Sequence, residues 1–448
     1  MSRLPAVLAL GGALVAGAGC ASRAPFDPAA PATALRQRTG VGARLDGVVV
    51  AAPPPGIRLD DGLTADEAVA LALWNNAAFQ VSVADLGFAR ADLVEAGVLT
   101  NPVLSLLLPV GPKQLEATLR FPMEVLWERP RRVRAAHLAL DAAAQRLVQA
   151  GLDLVLNVRL AYADASLAVD REQLARDAAG TFARIAILTQ SRLAEGDISA
   201  LEARSATIDA ARAVHDRQRA AHDVVLARQR LALLLGQSAD AFIAALASSS
   251  EAATCAATAE LVREAAAARP DVRAAEIGVE AAAARLGWER SRILALTAVL
   301  DANGQGREGF EMGPGVDIGL PVLNRNQGPR TRARVQLERA SAAYAALQQQ
   351  VGFEVREART LFDQAQESLT SWTDTVLVPL QANVADADQS FRDGETSYLF
   401  VLDNARRLTE ARIRERDLRA DRQRAQARIE RAVGRSCSAP PQEVPRGR

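Results

Sequence analysis

The chain is written twice, and a repeat of this length decides an architecture before any single motif does. Residues 63–236 and 261–434 follow one plan: a helix, two alternating apolar segments, a very long helical run, a tight glycine turn and a returning helix. Prolines punctuate both copies at one spacing, Pro122 and Pro130 in the first, Pro321 and Pro329 in the second. Beyond each second proline the pattern predicts one continuous helix, over 131–195 and over 330–393. At ~1.5 Å per residue each would reach ~95 Å, and so long a helix needs lateral partners along its whole length. The helices returning after Gly196-Asp197 and Gly394-Glu395 supply them.

The first copy opens at Thr64-Ala65-Asp66-Glu67, a capping box in which Thr64 accepts from the Glu67 backbone and Glu67 reaches back. Its counterpart begins near Thr258, and Arg269-Pro270-Asp271 predicts a bend or break there. The segments between the helices have period two. Leu115, Ala117, Leu119 and Phe121 share one face, and Glu116, Thr118 and Arg120 the other. Val316, Ile318 and Leu320 alternate with Asp317 and Gly319 in the same way. Two hairpins result, with strands expected at about 102–109, 114–122, 294–303 and 314–321.

Composition agrees with a mainly α chain carrying a small β part. Aromatic residues are 4% and Ala abounds, which suits long amphipathic helices better than a compact core. A net charge of zero argues against nucleic acid, which calls for a concentrated basic surface. Residues 1–19 read as an export signal: Arg3 precedes an apolar run too short to span a bilayer comfortably. The run ends in Gly17-Ala18-Gly19-Cys20. Two readings stand, a lipobox with Cys20 as acylated N-terminus, or ordinary cleavage after Ala16-Gly17-Ala18. Cys255 and Cys437 are the other cysteines; in an oxidising compartment they either pair or stay as thiols.

No catalytic constellation emerges: nucleophile–base pairs, a P-loop and paired carboxylates are missing from the pattern. Gly304-Gln305-Gly306-Arg307-Glu308-Gly309 matches G-x-G-x-x-G, but alternation resumes after it, where a dinucleotide site needs a helix N-terminus. The three histidines, His137, His215 and His222, read as surface residues, and neither metal nor cofactor is expected.

Four half-wet strands with open edges cannot stand alone in lipid, because each unpaired backbone group there costs several kcal/mol. The sheet must close with strands from other copies, placing Glu116, Arg120, Asp301 and Asp317 in a wet lumen and Trp127 and Trp288 near an interface. This plan resembles the TolC-type outer-membrane efflux proteins over nearly the whole chain after the export signal. Leu320-Pro321-Val322-Leu323-Asn324-Arg325-Asn326-Gln327-Gly328 resembles the strand-to-helix junction of the cobalt–zinc–cadmium branch. The first copy departs from it, with Phe121-Pro122-Met123-Glu124-Val125-Leu126-Trp127-Glu128-Arg129 where a glycine-containing junction is expected.

The resemblance implies a homotrimer with a twelve-stranded transmembrane β-barrel, four strands per chain, above a long α-helical barrel. It also implies a non-enzymatic outer-membrane channel with most of its chain in the periplasm, passing heavy-metal cations from an adaptor and a resistance-nodulation-division pump, and acylation of Cys20 would make it lipid-anchored as well. Drug efflux, type I secretion and an exported coiled-coil scaffold are the competing readings. The domain plan is a signal (1–19), a lipidated linker (20–62), a first repeat (63–246), a joint (247–258), a second repeat (259–434) and a tail (435–448). The turns are the expected adaptor-contact tip: Arg192, Gly196, Asp197 and Ser199 in the first copy, Arg392, Asp393, Gly394, Glu395 and Ser397 in the second.

Overall fold

The computed structural model describes residues 29–46, 54–57, 62–108, 110, 115–238, 246, 258–304, 309–393, 395–396 and 398–436. Cys20, Cys255, Cys437, Gly394 and Ser397, with the side chain of Arg392, lie outside the described residues. The chain divides into two compact units, one of Met1–Ala29, Val83–Leu147 and Pro270–Gln349, the other of Ala30–Ser82, Val148–Arg269 and Gln350–Arg448. In chain order the elements are α1 (Ala30–Thr39), α2 (Ala65–Asn75), α3 (Ala77–Gly97), β1 (Val103–Leu107), β2 (Leu115–Pro122), α4 (Val125–Glu195), α5 (Ala200–Leu234), α6 (Thr258–Ala268) and α7 (Pro270–Ser291). Then follow β3 (Ala295–Gly304), β4 (Phe310–Gly319), α8 (Gln327–Trp372), a π-helical turn (Thr373–Leu377), α9 (Val378–Arg392) and α10 (Tyr398–Val433).

The first unit holds one antiparallel sheet in the order β1-β2-β3-β4, so the hairpins of the two copies join through β2 and β3. Main-chain and side-chain bonds fasten that seam: Met123 N donates to Leu296 O at 2.6 Å, and Leu296 N to the Glu124 carboxylate at 3.2 Å. The carbonyls left over at the end of α3 are taken up by α4. Arg129 Nε donates to Gly97 O, and Arg132 to Ala96 O and Val98 O, at 2.7–2.9 Å. Strand β4 begins at Phe310, ahead of the expected 314. It takes in Pro314, which an edge strand tolerates because the missing N–H need not face a partner.

In the second unit the Thr64 capping box forms, with Glu67 N on Thr64 Oγ1 at 3.3 Å and Thr64 N on Glu67 Oε2 at 2.9 Å. The break expected at Arg269-Pro270 separates α6 from α7. The first copy breaks at the matching place, which its sequence does not announce with a proline. Asn76 leaves the helical conformation, caps the next helix by accepting from Phe79 N at 2.9 Å, and donates to Leu234 O at 2.8 Å. Arg269 does the equivalent work in the second copy, donating to Ala432 O at 3.2 Å.

The long helices depart from the expectation in two ways. α4 begins at Val125, with Pro130 inside it. So early in a helix the proline forfeits only the bond to Leu126 O. The second run, 330–393, is not one α-helix. Pro379 lies within it, and ahead of the proline the backbone widens to a π turn in which Val378 N bonds Thr373 O, five residues back. A proline ring collides with the carbonyl four residues earlier, so a widened turn absorbs the misfit without ending the helix. Leu377 at this turn packs with Leu408 and Ala411, and the Trp372 indole donates to Ala411 O at 3.1 Å.

Candidate functional sites in the sheet and at the helix turns

Register assigns every sheet residue to a face, because directly paired residues of an antiparallel sheet point the same way. Leu104, Leu106, Leu115, Ala117, Leu119, Phe121, Leu296, Ala298, Leu300, Ala302 and Gly304 lie on one face with Phe310, Met312, Pro314, Val316 and Ile318. No polar side chain interrupts it, and Phe310, Leu106, Val316 and Leu104 are each about 60% exposed. A soluble monomer rarely shows so large an apolar surface. The opposite face carries Glu116, Thr118, Arg120, Asp301, Asn303, Glu311 and Asp317.

The four residues expected in the lumen therefore share one face. Asp301 accepts from Thr118 Oγ1 and from Asn303 Nδ2, both at 2.8 Å. Arg120 stands 3.8 Å from Asp317, an exposed and weak pair. Glu311, which the sequence reading placed outside the strands, joins them and brings the face to four carboxylates against one guanidinium. Among the described residues no helix is long and apolar enough to cross a membrane.

The junctions beside the sheet explain the local motif. Asn326 has φ +58°, a left-handed conformation that Asn tolerates better than most residues. Its amide donates to Glu289 O at 2.7 Å and Glu289 Oε2 at 3.0 Å, while Asn324 and Gln327 accept from backbone N–H groups of the same loop. Glu289 is 5% exposed and lies 3.5 Å from Arg292. No spacing in the sequence marked this carboxylate, which becomes visible only when the α8 start folds against the α7 end. Burial pushes the neighbouring Glu128 carboxyl above its usual range, opposed by Arg292 at 3.8 Å.

At the first turn, Asp197 N bonds Arg192 O at 2.9 Å and Gly196 N bonds Leu193 O at 3.1 Å, a Schellman ending in which Gly196 takes φ +83°. Ser199 starts α5 as its cap, accepting from Glu202 N while Glu202 accepts from Ser199 N, and these bonds hold the Glu202 carboxyl below its usual range. The second turn repeats the six-residue closure, Glu395 N to Ser390 O at 2.9 Å, and Asp393 accepts from Gln389. A groove of about 650 Å³ opens beside the first turn, lined by Arg192, Leu201, Glu202, Asp209, Thr396, Asp403 and Arg406. The charge contact between α5 and α10 in this groove is Arg406 to Asp209 at 3.9 Å, a pair absent from the expected tip residues. The G-x-G-x-x-G pattern begins at the end of β3 and leads into β4 at Phe310, not into the helix N-terminus that a pyrophosphate needs.

Residues 261–435 match the family described as outer membrane efflux protein. The chain is 28% identical over 378 residues to the cobalt-zinc-cadmium resistance protein CzcC of Cupriavidus metallidurans, covering 83% of this chain and 90% of that one. Its fold is similar to that of the outer-membrane channel OprN, with TM-score 0.69, 20% identity, and 88% of this chain and 96% of that one covered. The outer membrane protein VceC from Vibrio cholerae is similar too, with TM-score 0.68, 19% identity, and 84% and 97% covered. A duplicated helix–hairpin–helix chain, an amphipathic four-stranded sheet and these likenesses converge: the fold is TolC-like, its second repeat matches the outer membrane efflux protein family, and the chain is similar to a protein of cobalt-zinc-cadmium resistance.

Proposed function

We propose that three copies close their sheets into a twelve-stranded barrel and act as the outer-membrane channel of a tripartite pump that expels heavy-metal cations. The observation that carries this reading is the sheet itself, with one wholly apolar face, one wet face, and β1 and β4 each paired on a single side among the described residues. In hydrocarbon those edges demand strands from other copies. A single chain of four strands encloses nothing, and about eight strands enclose only packed side chains, so three copies are the smallest number that leaves a water-filled lumen. The excess of carboxylates on the wet face favours cations, in keeping with the metal resistance named for CzcC.

On this reading the channel passes ions handed on by a periplasmic adaptor and a resistance-nodulation-division pump, with the adaptor docking at the turns around Gly196, Asp197, Asp393 and Glu395. Acylation of Cys20 would add a lipid anchor. The test is cross-linking and native mass spectrometry of the detergent-extracted protein, followed by conductance in a planar bilayer. A trimer that opens ion-conducting pores is expected. A monomer that stays in solution without detergent sinks the proposal and favours a periplasmic scaffold.

A further inference from the structure

The chain is neutral overall, but its charge is not spread evenly in the first unit. The stretches 123–134, 285–292 and 325–334, which lead out of β2, into β3 and out of β4, hold eleven arginines against three glutamates. Residues 96–102, leading into β1, hold no charge. Ten of the eleven arginines lie within seven residues of the near end of α4, α7 or α8, or in the adjoining loop, so along the helices they span about 10 Å, with Arg134 nine residues into α4. Ten-residue strands at ~3.3 Å per residue, tilted as in barrels, give an apolar band about 25 Å tall. The arginines therefore begin where that band ends, at the depth where a bilayer places its headgroups, a layer of about 5–8 Å on each side of the hydrocarbon.

Some of these guanidiniums are already used. Arg129 and Arg132 cap α3, and Arg292 and Arg285 stand 5.2 Å and 5.9 Å from the Trp288 ring centre. Arg131, Arg134, Arg290 and Arg332 are exposed and make no ion pair among the described residues. Exposed arginines with no carboxylate in reach, beside an apolar face, match phosphate, which accepts the fork of a guanidinium in two parallel bonds.

We propose that this arginine girdle binds the anionic headgroups of phospholipids, of the phosphatidylglycerol kind, in the leaflet at the helix side of the barrel. The proposal rests on placing the sheet in lipid, as above. It gives the barrel a fixed depth and makes its stability depend on lipid charge.

The test uses the full chain in micelles doped with phosphatidylglycerol or with phosphatidylcholine of the same acyl chains, counting retained lipid by native mass spectrometry. The wild type is expected to retain the anionic lipid about tenfold over the zwitterionic one. The variant R131Q/R134Q/R290Q/R332Q is expected to lose that preference, and the matching fourfold lysine variant to keep most of it. Should the glutamine variant not fold, wild type and lysine variant across a salt series carry the test, because screening must weaken a headgroup contact. Equal retention of both lipids by the wild type, a preference untouched by the glutamine variant or by salt, or displacement of the lipid by millimolar glycerol phosphate each overturns the proposal, the last by assigning a soluble anion site. Insertion into neither lipid removes the membrane placement itself, whereas insertion without preference removes only the girdle.

Discussion

Replacing Arg269 with alanine tests whether the second repeat is closed by a charge. Arg269 is 1% exposed, and Nη1 donates to Glu354 Oε2 at 2.6 Å and to Ala432 O at 3.2 Å. Glu354 also accepts from Arg431 at 2.6 Å, which in turn pairs with Asp153 at 2.9 Å. Removing one partner of a buried pair leaves the other charge uncompensated, typically at 3–5 kcal/mol. Here Glu354 is 20% exposed and keeps Arg431, so the charge penalty falls to the lower end, while the lost packing of the buried arginine stem adds back. We expect about 3 kcal/mol in total, or a fall of roughly 6–12 °C in the melting temperature by circular dichroism in detergent at neutral pH.

The double variant R269A/E354Q should lose less than the two single losses combined, because no carboxylate is left stranded. Acid gives a second readout. Burial of Glu354 disfavours its charged form, but the bonds and charges of Arg269 and Arg431 outweigh this and hold the carboxyl below its usual range. Its contribution is therefore present above the ordinary glutamate range and vanishes as pH falls through the depressed folded value. The wild type should lose stability over that interval more steeply than the double variant. A shift under about 2 °C for R269A, or strict additivity with E354Q, would refute the reasoning.

Three further outcomes follow from the geometry. Leu300 lies on the apolar face and its neighbour Val299 on the wet one, so L300R should block insertion at a cost of about 2–4 kcal/mol while V299R inserts normally, as read by heat-modifiable migration on gels; equal behaviour would invalidate the face assignment. Gly196 and Gly236 both have positive φ, but a Cβ at Gly196 meets nothing within 4 Å whereas one at Gly236 comes within 2.5 Å of Asn75 O, so G196A should cost about 1 kcal/mol and G236A several times more in thermal melts. In a salt gradient the pore should favour cations, and E311K/D317K should move the reversal potential toward anion selectivity; an unmoved potential would place these side chains outside the conducting path.

Period-two alternation and matched prolines made the sheet and the duplication legible because both are local and regular. The helix breaks were only half legible. Pro270 announces one, but Asn76 makes the other with an amide whose partner, Leu234 O, is 158 residues away. Pro379 went unmarked inside the run expected as one helix, and whether a proline ends a helix or widens it to a π turn depends on what holds the far side. Here Leu377 and Trp372 keep α9 in line by packing against α10. Glu289 and Asp209 escaped notice for the same reason: each gains meaning only from a residue far along the chain, Asn326 in the loop before α8 and Arg406 on α10. The turns were readable as turns, but Ser199 is occupied as a helix cap, which its place in a charged motif did not reveal.

The two halves are copies, but their helix breaks are fastened by unlike chemistry. Asn76 grips the end of its returning helix through a neutral amide, and Arg269 through a cation that also leans on Glu354. Acid or concentrated salt acts on the second grip and leaves the first alone. Evenly duplicated in outline, the molecule should nonetheless come undone from one preferred side.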